Sequence, residues 1–173
     1  FNGERAYHRF HSASCAEIVY DLLELLHCPL DAQIAEAVYV GTSTDTGCFR
    51  YANTTAHTFA AAAACAQAGA RIYELNMDLF ETNTLARLKM QGWIVENMKM
   101  LREGKMCICA IPRTVEHAMG VTGDDMDNIS SFPRTVAGVC LAATLREGDR
   151  GQIKLSVRAV PGYDATQVTV PFG

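Results

Sequence analysis

A single carboxylate set among hydroxyl groups is the residue of this sequence with the clearest chemical use. The run GTSTDTGCFRYANTT, residues 41–55, places Asp45 between Thr44 and Thr46, two residues before Gly47. The preceding residues have the apolar spacing of a largely buried helix, so we expect Asp45 at its C-terminal edge. A carboxylate there lies at the negative end of the helix dipole and needs a cation or backbone N–H groups. The run predicts a metal ligand, hydrogen-bonded by Thr44 and Thr46, or else an Asx turn before Gly47.

A second candidate site lies in the segment KLSVRAV near the end of the chain. Lys154, Ser156 and Arg158 alternate along a predicted strand, and side chains two residues apart in a strand point the same way. An arginine can bind a phosphate through two parallel hydrogen bonds, and a serine hydroxyl can add a third. The pattern predicts a phosphate-binding face, with a solvated edge-strand face as the alternative.

Three further residues are candidate substrate contacts. Arg50 and Asn53 follow the Asp45 turn closely enough to reach a bound substrate. Asn53 has an alternative role, which is to fix the loop or to cap a helix beginning near Thr55. Arg134 is a candidate anion contact, and a surface ion pair is the alternative for it.

The elements that position these residues can be predicted from capping signals and spacing. Ser14 and Glu17 form an S-x-x-E capping box before an apolar periodic run, which predicts a helix. The predicted elements of the first half are helices over residues 15–27, 31–41 and 55–68 and a short strand over 71–75. Residues 81–103 keep helical periodicity and predict one long helix, with Gly92 as its weak point.

The remaining residues predict a mixed α/β segment. The predicted elements are a strand in KMCICAIP, a helix in TGDDMDNISSFPRTV opened by Thr122, and strands in VAGVCLAATLRE and GQIKLSVRAV. The last two strands form a predicted hairpin around Gly148, Asp149 and Gly151. The expected fold class is therefore α/β.

Composition and charge restrict the classes of partner. The chain has 173 residues, a 49% hydrophobic composition and a net charge of −4. Residues 1–80 carry 4 Lys/Arg and 9 Asp/Glu, and residues 81–173 carry 11 and 10, so neither part is a basic platform for long nucleic acid. No apolar run approaches the ~20 residues of a membrane helix.

Seven cysteines without a C-x-x-C pair are typical of reduced core residues, and we expect a cytoplasmic protein.

Three motifs resemble those of the DHH phosphoesterase family, named for its Asp-His-His signature. TDTG, followed by an aromatic residue and N-T-T, resembles the fourth motif of that family. SASCAEIVYDLL resembles its S-S-T-A-E-hydrophobic segment, with Cys15 where a threonine is usual. KLSVRAV resembles the S-x-R motif of the DHH-associated domain, with Ala159 where a serine is common. The resemblance covers nearly the whole chain and is strongest to the oligoribonuclease and phosphoadenosine-phosphate phosphatase type, the nano-RNases.

The resemblance implies a domain organisation. It implies the helical C-terminal part of a DHH catalytic domain over residues 1–80, a long connector helix over 81–104, and part of a smaller mixed-sheet DHH-associated substrate-binding domain over 105–173. It also implies that the Asp-His-His signature precedes Phe1 and that a glycine-rich loop ending in histidine begins at residues 171–173. We therefore expect an internal piece of a longer enzyme that is inactive by itself.

The resemblance also implies an activity. The expected function is manganese-dependent hydrolysis of short oligoribonucleotides, adenosine 3′,5′-bisphosphate or dinucleotides derived from cyclic dinucleotides. Asp45 would bind one ion of a two-manganese site formed mostly by residues absent from this chain, and hard oxygen ligands suit that ion. The expected partner is a short RNA, mononucleotide or dinucleotide, with no membrane, and a homodimer is compatible with the sequence. The alternative hypothesis is a non-catalytic nucleotide-binding or interaction module.

Overall fold

The computed structural model describes residues 11–148 and 151–170. The chain divides into two compact units, Phe1–Thr82 and Asn83–Gly173. Asp149, in the predicted hairpin turn, and residues 171–173, where the resemblance implies the start of the glycine-rich loop, lie outside the described residues.

The described part of the first unit is helical. Its elements are α1 (Cys15–Leu25), α2 (Ala32–Asp45), α3 (Ala56–Gln67), α4 (Ile72–Asn76) and a π-helical turn (Met77–Glu81). The side chains of Ser14, Asp31 and Thr55 each accept a hydrogen bond from the backbone N–H three residues ahead. These N-caps explain why the first three predicted helices are confirmed. The strand predicted over residues 71–75 is wrong, because this segment forms α4.

Small side chains let the first three helices pack closely. Ala35, Ala61 and Cys65 are completely buried in one hydrophobic cluster. At the crossing of α1 and α2, a Cβ atom on Gly41 would lie only 2.7 Å from the Cβ of Ala16. The two helices therefore approach to a distance that only glycine permits at position 41.

The second unit combines a four-stranded sheet with short helices. Its elements are α5 (Leu85–Asn97), β1 (Lys99–Leu101), β2 (Met106–Ile111), α6 (Arg113–Met119), β3 (Leu141–Glu147), β4 (Ile153–Ala159) and α7 (Thr166–Thr169). The strand order is β1-β2-β3-β4, with β2 and β3 parallel and the other two pairs antiparallel. This mixed sheet with flanking helices confirms the predicted α/β class, and β3 and β4 form the predicted pair of strands.

Two helix predictions in this unit need correction. The long helix predicted over residues 81–104 is shorter, because α5 ends at Asn97 and β1 begins two residues later. Arg102 and Glu103 both have positive φ and turn the chain into β2. Three 3-10 turns, Asp124–Met126, Ile129–Ser131 and Pro133–Thr135, replace the helix predicted from Thr122. Asn128 has a left-handed φ of 55°, and Pro133 lacks an N–H, so an α-helix cannot continue through both.

One face of the sheet is divided between a packed half and an open half. Met90 and Ile94 of α5 pack with Cys109 and Ile111 of β2 in a single buried cluster. The pairing register places Thr144 of β3 beside Cys109 on the same face. That face continues across β3 and β4, where it opens into a groove.

Candidate functional site

The groove in the second unit lies along the open half of this sheet face. It has a volume of about 650 Å³. Strands β3 and β4 form its floor, residues 126–130 form one wall, and residues 165, 166 and 169 at α7 line the other side. It is large enough for a nucleotide-sized ligand.

The three residues predicted to share a face of β4 do share it. Lys154, Ser156 and Arg158 all line the groove, and Lys154 and Arg158 are exposed while Ser156 is half-buried. Arg158 donates from Nε to Ser131 Oγ and from Nη1 to the carbonyl oxygen of Val157, both over 3.2 Å. These two bonds hold the guanidinium in place and leave its other N–H groups available in the groove.

The neighbouring strand β3 adds two polar residues that the sequence did not identify. Thr144 lies directly across from Ser156, and Arg146 lies across from Lys154. Thr144 is only 2% exposed, and its hydroxyl has no hydrogen-bond partner among the described residues. A buried hydroxyl without a partner is uncommon and is normally satisfied by water or a ligand.

Arg146 is bound by a carboxylate. Its Nε and Nη2 donate to the two carboxylate oxygens of Glu116 over 2.5 and 3.0 Å. These hydrogen bonds with Glu116 raise the pKa of the Arg146 guanidinium. The parallel, two-bond geometry is the strong form of an ion pair, so this cation is neutralised within the protein.

Arg134 lies away from the groove lining, on the 3-10 turn Pro133–Thr135. It is half-buried, and within residues 11–148 and 151–170 its side chain makes no hydrogen bond or ion pair. The surface ion pair considered for it is therefore not formed in the described part of the chain. Its role as an anion contact stays a prediction.

In the first unit, Asp45 is the last residue of α2 and its side chain is exposed. The predicted position at the C-terminal edge of the helix is confirmed. The predicted hydrogen bonds from Thr44 and Thr46 to its carboxylate are wrong, because both hydroxyls donate to backbone carbonyls one turn earlier in α2. The N–H of Gly47 donates to the carbonyl of Thr44, so the Asx turn is not formed either.

The turn after Asp45 requires glycine at its centre. Gly47 has a φ of +57°, and a Cβ there would lie 2.3 Å from the ring of Tyr51. Arg50 donates from Nε to the carbonyl oxygen of Gly47 over 2.6 Å. Its outer guanidinium nitrogens have no protein partner among the described residues, so Arg50 can still reach an anion from this turn.

Asn53 holds the Asp45 turn against the start of α1. Its side-chain nitrogen donates to the carbonyl oxygens of Ala13 and Asp45, over 3.0 and 3.2 Å. These are the loop-fixing contacts that the sequence allowed as an alternative. Thr55, and not Asn53, caps α3. Direct contact between Asn53 and a substrate stays a prediction.

Glu17 supports this arrangement and was identified from the sequence only as a capping residue. It is 1% exposed. Its two carboxylate oxygens accept hydrogen bonds from the N–H of Ala13 and the hydroxyl of Thr58, each over 2.8 Å. Glu17 therefore ties the start of α1 to the first turn of α3, and Asn53 ties the same residue, Ala13, to the end of α2.

The described residues do not complete a metal site. They include no cluster of three or more His, Cys, Asp or Glu side chains that could bind an ion. Asp45 offers one exposed carboxylate, which fits a single ligand of a hard divalent ion. No catalytic step through a metal can be derived from this partial set.

The structure defines a class of protein with a helical unit, followed by a mixed-sheet α/β unit whose groove is lined by cations and hydroxyl groups. No protein-family model matches the sequence. The chain is 28% identical over 161 residues to the bifunctional oligoribonuclease and PAP phosphatase NrnA of Thermus thermophilus, covering 93% of this chain and 48% of that protein. This similarity extends over nearly the whole chain, as the resemblance of its motifs does.

A solved structure supports the fold. The exopolyphosphatase-related protein of Bacteroides fragilis matches 94% of this chain with a TM-score of 0.86, at 22% identity and over 48% of its own length. The chain thus spans about half the length of the curated relative and of the solved structure. Separately, none of the described helices combines the length and the apolar character needed to cross a bilayer.

Proposed function

We propose that this chain is the substrate-binding part of a phosphoesterase that hydrolyses short oligoribonucleotides or adenosine 3′,5′-bisphosphate. Dinucleotides derived from cyclic dinucleotides are close variants of the same substrate class. The observation that supports this proposal most is the groove, where Ser156 and Arg158 lie on one face of β4 beside a second cation. The named activities of the Thermus thermophilus relative point to the same substrates.

Arg158 is the main phosphate contact in this proposal. Its bonds to Ser131 and Val157 fix the guanidinium before a ligand arrives, so less conformational freedom is lost on binding. Ser156 lies two residues before Arg158 on the same face of β4, and its hydroxyl donates a further hydrogen bond to the same anion. Arg50 and Arg134 are proposed as secondary anion contacts, because neither guanidinium is neutralised by a carboxylate among the described residues.

Asp45 is proposed as one ligand of a manganese site. Its carboxylate is exposed, and Asn53 binds its backbone rather than its side chain, so the oxygens remain available to an ion. An ion there needs further ligands that the described residues do not supply. A metal ion of this kind would polarise a phosphate or activate a water. The chain's own contribution is to bind and orient the phosphate.

The proposed location is the cytoplasm. Cys65, Cys107 and Cys109 are buried free thiols, and burial raises the pKa of each. Thiols of this kind are inert core residues, typical of proteins in a reducing compartment.

Binding measurements on this chain test the substrate proposal. We expect diadenylate to bind, and Arg158→Ala to weaken its affinity at least tenfold without lowering the melting temperature. Lys99→Ala is the matched control, because Lys99 is an exposed cation of the same sheet whose register partner is Ile108, on the opposite face from the groove. Equal affinity in the Arg158 variant and the wild type would contradict the proposed contact.

Hydrolysis assays separate the enzyme from the alternative binding module. The chain and the full open reading frame that encodes it are incubated with manganese and diadenylate, and mononucleotides are measured. Release by the full reading frame supports the phosphoesterase. Binding without release by either protein would favour the non-catalytic nucleotide-binding module.

A further inference from the structure

The cations along the groove are not equivalent. Arg146 and Lys154 occupy directly opposed positions on β3 and β4, an arrangement that destabilises a sheet when both charges are uncompensated. Glu116 compensates Arg146 through two hydrogen bonds. Lys154 is exposed and has no carboxylate partner among the described residues, so it is the cation at this end of the groove that a ligand can neutralise.

The backbone positions of Lys154 and Arg158 are too far apart to favour binding of the same phosphate oxygens. They are four residues apart on β4, which separates their Cα atoms by about 13 Å. Ser156 lies midway between them. Across from Ser156 lies Thr144, whose hydroxyl has no partner among the described residues. Two cations at the ends and two hydroxyls between them form a row of anion-binding groups rather than one cluster.

The groove also continues beyond Lys154. A second hollow of about 310 Å³ shares Arg146 and Lys154 with the first and extends to His117 of α6. Among the described residues, Asp127 is the carboxylate that lines the first hollow, while Glu116 and Glu147 line the second. Glu116 is paired with Arg146, and Glu147 accepts a hydrogen bond from the backbone N–H of Arg113. Space for a ligand is therefore present on both sides of the Lys154 side chain.

We propose that the groove contains two anion subsites, one at Arg158 with Ser156 and a second at Lys154, and that Lys154 selects substrates that carry a second phosphate. This inference rests on the proposed function, because it assumes that Arg158 binds the first phosphate. The flexible four-carbon stem of lysine lets its ammonium follow a second phosphate along the groove. Substrates with a terminal phosphate, such as 5′-phosphorylated dinucleotides, would be favoured over the same compounds without it.

Diadenylate with and without a 5′-phosphate tests this inference by direct titration of the chain. We expect the wild type to bind the phosphorylated form at least tenfold more tightly. Lys154→Gln should reduce this ratio to below threefold while changing the affinity for unphosphorylated diadenylate less than twofold. Lys154→Arg should preserve most of the ratio, and Lys99→Gln, on the opposite face of the sheet, should leave it unchanged.

Salt dependence gives an independent readout. Salt screens the attraction between exposed charged groups, so an exposed ammonium–phosphate contact makes the affinity more dependent on salt. Lys154→Gln should therefore make the slope of log affinity against log salt shallower for the phosphorylated form only. Loss of affinity for both forms to the same extent, or an unchanged ratio, would overturn the second subsite.

The outcomes also distinguish a failure of the second subsite from a failure of the proposed function on which it rests. If the wild-type chain binds neither form, the proposed function fails and the second subsite fails with it. If unphosphorylated diadenylate binds and depends on Arg158, but the ratio does not depend on Lys154, only the second subsite is wrong.

Discussion

Replacing the buried carboxylate of Glu17 should destabilise the arrangement that positions Asp45. Glu17 accepts hydrogen bonds from the N–H of Ala13 and the hydroxyl of Thr58, and Ala13 is in turn bound by Asn53. Methionine has a similar volume but no acceptor of comparable strength. Glu17→Met therefore removes both bonds without opening a large cavity.

The magnitude follows from the two donors that lose their acceptor. A buried donor left unsatisfied costs about 1–3 kcal/mol. The N–H of Ala13 has no second partner among the described residues, so leaving it without an acceptor should cost about 2 kcal/mol. The hydroxyl of Thr58 also lies 3.1 Å from the hydroxyl of Thr55 and can turn toward it, so about 1 kcal/mol is expected there. The total is about 3 kcal/mol for Glu17→Met. Glutamine keeps one acceptor oxygen, so Glu17→Gln should cost about 1 kcal/mol.

Urea unfolding followed by circular dichroism measures these differences. With a slope of about 2 kcal/mol per molar urea, Glu17→Met should lower the midpoint by about 1.5 M. Glu74→Met is the control, because Glu74 is exposed on α4 and makes no hydrogen bond through its side chain among the described residues. The same midpoint for the Glu17→Met and Glu74→Met variants would refute the reasoning, and so would equal losses for methionine and glutamine at position 17.

Three further predictions concern the candidate site. Asp45→Asn should leave stability within about 0.5 kcal/mol of the wild type, because its side chain is exposed. In the full reading frame with manganese, the same change should reduce hydrolysis at least a hundredfold. Near-normal turnover would remove Asp45 from the metal site. Glu116→Gln should lower stability by about 1 kcal/mol and strengthen anion binding, because it releases Arg146 into the groove; unchanged inorganic phosphate affinity by titration would contradict this. The backbone N–H of Thr122, with the hydroxyls of Thr84 and Thr122, lowers the pKa of Asp125, so its contribution to stability is complete above about pH 4 and is lost as the pH falls through the lowered value. Urea midpoints from pH 2 to 6 should therefore fall less steeply in Asp125→Asn than in the wild type, and parallel curves would contradict the assignment.

Local signals predicted the parts of the site that lie within one element. The S-x-x-E box located the start of α1, and alternation along β4 placed Ser156 and Arg158 on one face. Both patterns involve residues within four positions of each other, where backbone geometry alone decides which side chains meet. The strand pair β3–β4 was predictable for the same reason, since a turn-rich segment joins two apolar runs.

Contacts between distant residues were not predictable in this way. Glu17 accepts a hydrogen bond from Thr58, which is 41 residues further along the chain. Glu116 accepts one from Arg146, which is 30 residues further along. Such pairs depend on how helices and strands pack, which no local pattern encodes. The shortening of the long helix has a similar cause, because Lys99 pairs with Ile108 of β2 and tertiary strand pairing overrides helical periodicity.

The groove shows why counting cations in a sequence does not give the charge of a site. Arg146, Lys154 and Arg158 all line it, which by composition suggests three equivalent phosphate contacts. Folding removes Arg146 from this set by pairing it with Glu116, and anchors Arg158 to Ser131 without neutralising it. Of these three cations, Lys154 and Arg158 are not neutralised by a carboxylate among the described residues. Under the function proposed above, the spacing of these two residues on β4, and not the net charge of the chain, would determine which phosphorylated ligands the groove distinguishes.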